Sequence, residues 1–252
     1  MLIIYDRKHG IDFYNIWYAK ELYKGRGIIT YHGYMGNAPV KATEFQTLVT
    51  DLTETEEDIK RKFSKTCKNL INRSMREPIS YKIVQNDEVT DEIIMEFCDF
   101  FVMFWKSKDR NYNDKEKLQK ELKLYRDNNA LVIGWAVINE EKAVYHTYVK
   151  DAEAVRLRHS ASLYRLKSEE DGVNTKNLIG IANRGLHFEE MRYFKKQGKK
   201  IYDWGGAGNE EAVAQITAFK ETFGGTPVSY YNFEQVNGIV AKAFKMLTHI
   251  LR

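Results

Sequence analysis

At Ala130 the hydrophobic pattern of the chain changes period, and that change restricts the folds open to it. Between Thr53 and Asn128 apolar residues recur every three or four positions, the spacing of helices with one buried face. Thr53 with Glu56 has the form of a capping box, and Glu56, Glu57 and Asp58 complement a helix dipole. Ile59, Phe63, Cys67, Leu70, Ile71 and Met75 then run as one stripe to Pro78, which predicts a single helix of about five turns. A strand is expected over 81–84. A second helix starts at Asp91, with Ile94, Phe97, Phe101, Phe104 and Trp105 on its face, and a third carries Leu118, Leu122 and Tyr125 to a stop at Asn128. From Ala130 the pattern is that of strands: 130–138 and 143–149 form a hairpin around Asn139, and a third strand near 155–159 completes an antiparallel meander. Thereafter a helix (183–197), a strand (200–204), a helix (210–222), a strand (228–233) and an amphipathic helix through Val236, Val240, Phe244, Leu247 and Leu251 alternate. Short aromatic runs broken by Gly and Asn make the first fifty residues a strand-rich extension. The order predicts an α+β fold, a mixed sheet flanked by helices.

Composition excludes several classes. With 43% hydrophobic and 29% charged residues the chain is neither disordered nor fibrous, and a net charge of +4 suits an anionic partner without requiring one. Cys67 and Cys98 lie far apart, so buried free thiols are expected rather than a disulfide or a metal ribbon. The apolar start at Met1 gives out at Asp6 before a signal core can form, and no run reaches about 18 uncharged apolar residues, so a cytoplasmic protein is expected. Gly205-Gly206-Ala207-Gly208 is followed by no Lys-Ser/Thr and belongs to no Gly-x-Gly-x-x-Gly run, which argues against a nucleotide loop.

The order of elements resembles that of the GNAT acyltransferase superfamily. Asn183-Arg184-Gly185-Leu186-His187-Phe188-Glu189-Glu190-Met191, Gly198 to Gly206, and Phe219-Lys220-Glu221-Thr222-Phe223-Gly224-Gly225 resemble its FemABX-type branch. That branch is known for moving amino acids from aminoacyl-tRNA to peptidoglycan precursors in chains with two GNAT-like units. The resemblance implies one complete unit over 81–252 behind a partial N-terminal subdomain over 1–80 that carries a basic helix. It further implies an N-acyltransferase that forms an amide on a small-molecule or lipid-linked bacterial envelope precursor, with aminoacyl-tRNA or acyl-CoA as donor substrate and no tightly bound cofactor. A non-catalytic RNA- or anion-binding module on the same fold is the alternative.

Amide formation needs a proton acceptor, a donor to the developing oxyanion and an anchor for the donor's phosphates. Segment 177–182 has the look of a degenerate acyl-CoA-binding loop, with Asn177, Gly180 and Ala182 ahead of a helix start at Asn183 whose free amides, helped by Arg184, would hold phosphate; Gly180 serves equally for close helix-to-sheet packing. Lys220 follows Phe219, near a stripe with Val213 and Ile216, and by resemblance to the Phe-Lys pair of Fem-type enzymes it points at the acyl group; otherwise it is a surface lysine. Asp203 ends a strand, where it would serve the site or cap the next loop. His187 and His159 are the candidate bases, each equally a structural histidine. Lys60, Arg61, Lys62, Lys65, Lys68, Arg73 and Arg76 make a basic face for tRNA or anionic lipid, or a solvated one. Lys242, Lys245 and Arg252 leave the last helix a choice between the sheet and peripheral membrane contact.

Overall fold

The computed structural model describes residues 1–166, 173–208 and 211–250. In chain order its strands are β1 (Leu2–Lys8), β2 (Ile11–Trp17), β3 (Gly27–Tyr34), β4 (Thr43–Asp51), β5 (Ile79–Gln85), β6 (Leu131–Ile138), β7 (Glu141–Lys150), β8 (Ala154–Ser162), β9 (Ile201–Asp203) and β10 (Thr226–Asn237). Its helices are α1 (Glu56–Arg61), α2 (Lys65–Ser74), α3 (Asp91–Lys106), α4 (Lys115–Asp127), α5 (Val173–Lys196), α6 (Glu211–Glu221) and α7 (Ile239–Ile250). This is the expected α+β class with a mixed sheet flanked by helices.

Two compact units form, one from residues 1–47 and 227–252 and the other from 48–226. The boundary is not the expected one at 80/81: α1 and α2 belong with the meander, while β10 and α7 return to the N-terminal strands. In the first unit β1 pairs antiparallel with β2, β2 runs parallel to β3, and β3 pairs antiparallel with β10. Ala241 and Phe244 of α7 pack on Ile11, Phe13 and Ile28, and the helix leaves Ile239, Val240, Met246 and Leu247 exposed. Residues 251 and 252, with the expected cation Arg252, lie outside the described residues.

The second unit contains the meander. β5, β6, β7 and β8 are successive antiparallel neighbours, β8 runs parallel to β9, and β9 is antiparallel to β4. Asn139 and Glu140 both take positive φ, 49° and 67°, which makes the tight turn between β6 and β7. Alternation in β7 sends Tyr145 against Phe97 and Phe100 of α3, and Tyr148 against Phe194 of α5. A core of Ile59, Phe63, Cys67, Ile71, Phe188, Phe194, Tyr202, Trp204 and Phe223 joins α1, α2 and α5 to the sheet. The single helix expected after Thr53 is two. Thr55, not Thr53, caps α1 through Asp58 N–H at 3.1 Å, and Ser64 starts α2 by accepting from Cys67 N–H at 3.2 Å. The Ser64 N–H meanwhile donates to the Thr222 carbonyl at 2.8 Å, a tertiary contact that the periodic stripe does not record.

Candidate active site

β8 and β9 pair over only three residues, ending at Arg156 opposite Asp203. β8 continues to Ser162, whereas β9 ends at Asp203 and is followed by Gly205 and Gly206, both at positive φ (59° and 54°). A Cβ at Gly205 would strike the Leu157 carbonyl, so this divergence requires glycine. A cavity of about 540 Å³ opens where the two strands part, with Leu157, Ser160 and Ser162 of β8, Asn183 and His187 of α5, and Phe219 and Lys220 of α6 in its wall.

Lys220 is buried, at 6% exposure, and donates to the Gly205 carbonyl and, at 2.6 Å, to the Gly206 carbonyl. Burial pushes its ammonium down to about 8, against the opposing pull of Asp203. The surface-lysine reading therefore fails, and Lys220 lines the cavity. Asp203 does not line the cavity. Its Oδ2 accepts from Arg156 Nε at 2.6 Å and its Oδ1 from Gly205 N–H at 2.9 Å, so it holds the turn whose carbonyls hold Lys220.

His187 brings a second reactive group to the same wall. Its Nδ1 lies 2.8 Å from Tyr202 Oη, and Tyr202 Oη lies 2.8 Å from Tyr148 Oη. Tyr148 donates to Glu190 Oε2, which is also 2.8 Å from His146 Nδ1, and His146 Nε2 reaches Asn183 Oδ1 at 2.9 Å. Every side chain from His187 to His146 is at least 99% buried. Burial first, then His146, Lys220 and Arg184, holds His187 well below the usual imidazole range, so the ring is neutral. Burial raises the Glu190 carboxyl, with His146 and Tyr148 opposing. Ligand atoms of His146, His187 and Glu190 lie within 4.8 Å of one another, a spread a cation could use, but the closest atoms are engaged as hydrogen-bond partners of each other and of the tyrosines.

Other expected residues fall elsewhere. His159 packs on Phe97 and Phe101 of α3, with Thr147 Oγ1 2.7 Å from its Nδ1; burial takes it down to about 4, and it is not in the cavity wall. The expected binding loop is a helix. Asn177, Gly180 and Ala182 lie inside α5, which starts ten residues before Asn183, so the amides at Asn183 and Arg184 are no helix N-terminus. Apolar Ile179, Ala182 and Leu186 are all buried, and this stripe carries the helix upstream through Gly180. Asn183 lines the cavity, while Arg184 donates to the Gly180 carbonyl at 3.3 Å and stacks over Phe219. The side chain of Val213 is outside the described residues. Three of the seven cations of the basic face pair with carboxylates of the same region: Arg61 with Asp58, Lys62 with Glu54 and Arg73 with Glu77.

Glu190, Tyr148, Tyr202 and His146 escaped sequence reasoning. Asn183, His187 and Glu190 stand at i, i+4 and i+7, one face of a helix, and that polar line within an apolar stripe was the available signal. Lys108, Arg110 and Arg165 also line the cavity, and among the described residues no carboxylate pairs with them. Burial, Arg165 and Arg110 together lower the Lys108 ammonium.

No protein-family model matches the chain, and no curated protein matches it in sequence. Solved structures do resemble it in fold. FemX superposes with a TM-score of 0.56 at 9% identity, over 80% of this chain and 63% of its own. A conserved protein of unknown function from Bacteroides thetaiotaomicron gives 0.52 at 13%, over 77% and 60%. L-PGS from Bacillus licheniformis gives 0.50 at 13%, over 88% and 72%. The chain thus spans less than two thirds of the first two, and at these identities what it shares with all three is the fold.

Proposed function

We propose that this chain is an N-acyltransferase acting on an amine of a bacterial envelope precursor, peptidoglycan or amino-sugar glycoconjugate, with its active site in the cavity beside Lys220. One observation carries the reading: a neutral imidazole and a buried ammonium share one cavity wall, the pair that amide formation requires. His187 Nδ1 is committed to Tyr202, which leaves Nε2 to take a proton from the attacking amine as the N–C bond forms. Lys220 Nζ, fixed by two carbonyls, supports the negative charge on the carbonyl oxygen. Collapse breaks the C–O bond of an ester, or the C–S bond of a thioester, and the same proton passes from His187 to the leaving atom.

For the donor we favour aminoacyl-tRNA over acyl-CoA. Lys108, Arg110 and Arg165 at the cavity support a polyanion, and the FemABX-like motifs and the fold shared with FemX support the same choice. The helical state of 177–182 removes the loop that argued for coenzyme A. Incubation with aminoacyl-tRNA and an amine-bearing precursor should give a product whose mass matches the amide, with donor affinity falling steeply from low to moderate salt. A concentration-dependent rise in melting temperature with coenzyme A, and none with tRNA, would reverse the donor assignment. Tight tRNA binding without transfer to any acceptor would favour the non-catalytic binding module.

A further inference from the structure

The mechanism above uses His187 but gives no work to the buried groups behind it. Four titratable side chains, His146, Tyr148, Glu190 and Tyr202, are withdrawn from water with it. Apolar side chains of similar volume would hold the sheet and α5 together at least as well. The chain has also made room for this arrangement: Glu190 Oε1 lies against Gly134 of β6, where any Cβ would collide with it.

One proton per hydroxyl orders the hydrogen bonds. Tyr148 donates its proton to the Glu190 carboxylate, so between the tyrosines Tyr202 must be the donor. Tyr202 then has no proton for His187, and His187 Nδ1–H must donate to Tyr202 Oη. A carboxylate, which only accepts, thereby dictates through two hydroxyls which nitrogen of His187 carries the hydrogen. That tautomer leaves Nε2 as the acceptor, and Nε2 has no partner among the described residues.

We propose that Glu190 is a positioning residue for His187, wired to it through Tyr148 and Tyr202, so that the site is a triad with two hydroxyls interposed between imidazole and carboxylate. The reaction it serves rests on the N-acyltransferase reading. When Nε2 takes the amine proton, the imidazolium keeps its Nδ1–H on Tyr202, and the Glu190 charge offsets the new cation along the chain. When Nε2 releases that proton to the leaving atom, the original tautomer returns, and no proton enters or leaves the network. A Glu190 proton directed at Tyr148 reverses the order: Tyr148 then donates to Tyr202 and Tyr202 to Nδ1, so the His187 hydrogen moves to Nε2 and the acceptor is lost, whereas the same proton directed at His146 Nδ1, 2.8 Å from Oε2, leaves the order as it is. The charged or titratable groups facing the chain are Lys220 from α6, Arg184 from α5, His146 from β7 stacked 4.0 Å from His187, and Asp203 from β9 in its pair with Arg156.

The side-chain nitrogen resonances of His187 in ¹⁵N-labelled protein test this without any acyl donor. The wild type should show the Nδ1–H tautomer at neutral pH. Tyr148→Phe, one link removed from His187, should shift the population towards Nε2–H, and so should Glu190→Gln if its amide donates to Tyr148. In the transfer assay Tyr148→Phe should lower kcat about tenfold or more at unchanged KM. An unchanged His187 tautomer in both variants would overturn the wiring even if amide formation is confirmed. A metal ion bound stoichiometrically to the purified protein would overturn it too, because ligation would take the Nδ1 atoms. A tautomer that follows Tyr148 in a protein that transfers no acyl group would leave the wiring standing and refute the proposed reaction.

Discussion

Lys220 is an ammonium that two backbone carbonyls hold away from solvent, and both its chemistry and its cost come from that placement. Replacing it with Met should lower turnover about 10²- to 10³-fold, the usual loss for an oxyanion donor, in a protein that still folds. The same burial sets a stability signature. Its folded value of about 8 lies below the ordinary 10.5, so between these values the unfolded chain binds the proton that the folded chain has released. Wild-type stability should therefore gain a rising contribution from pH 8 to pH 10.5. Denaturant titrations at pH 7.5 and pH 10 should show this gain in the wild type and its absence in Lys220→Met. Resemblance to a Phe-Lys pair pointed to Lys220, and residue type and place in the chain pointed to Asp203 and to His187 and His159 alike. Glu190 did not stand out: beside Glu189 on a charged stretch of helix it has the appearance of a solvated residue, and only the sheet packed against it shows that it is wholly buried.

At the scale of elements, α5 and β6 are fitted to each other through one missing side chain. Gly134 lies in an apolar strand, where glycine ordinarily costs stability, and its vacancy is filled by the Glu190 carboxyl. Gly134→Ala should cost about 1–3 kcal/mol in thermal or denaturant unfolding, because the rigid strand and the buried carboxylate must both shift. It should also depress turnover more than an alanine at an exposed strand position, since the displaced group orders the His187 chain. An unaltered melting temperature would show that the carboxyl has another place to go. Hydrophobic pattern revealed β5 to β8, α3 and α4 with ends close to those observed: α3 and α4 each bury one face, while β6 and β7, buried on both faces, are apolar runs bounded by turn residues. It failed where the determinant is a long-range contact. Ser64 breaks the helix because its N–H bonds to Thr222, and 177–182 is helix because its apolar residues meet the sheet.

For the whole molecule, the histidines that must stay neutral set the acid limit. His159 at about 4 and His187 well below 6.5 both have folded values beneath their unfolded ones, so on acidification the unfolded chain protonates first. Their contribution is complete above about pH 6.5 and is lost as pH falls towards 4. The melting temperature should drop through that window, and His159→Gln should flatten part of the drop without affecting transfer, because His159 lies outside the cavity. A pH profile identical in the variant would remove His159 from the account. No helix among the described residues is long and apolar enough to cross a membrane. The change of pattern at Ala130 and the alternation of elements that follows were enough for the sequence by itself to determine an α+β chain with an antiparallel meander, because a helix with one buried face repeats every three or four residues while a strand buried on both faces is a short apolar run between turns. Tertiary structure alone decided that residues 227–252 join the first forty-seven and that Glu190 answers to His187 through two tyrosines. Such pairings depend on which residues lie opposite one another across elements distant in sequence. A periodic pattern records that a position is buried, but not what it is buried against.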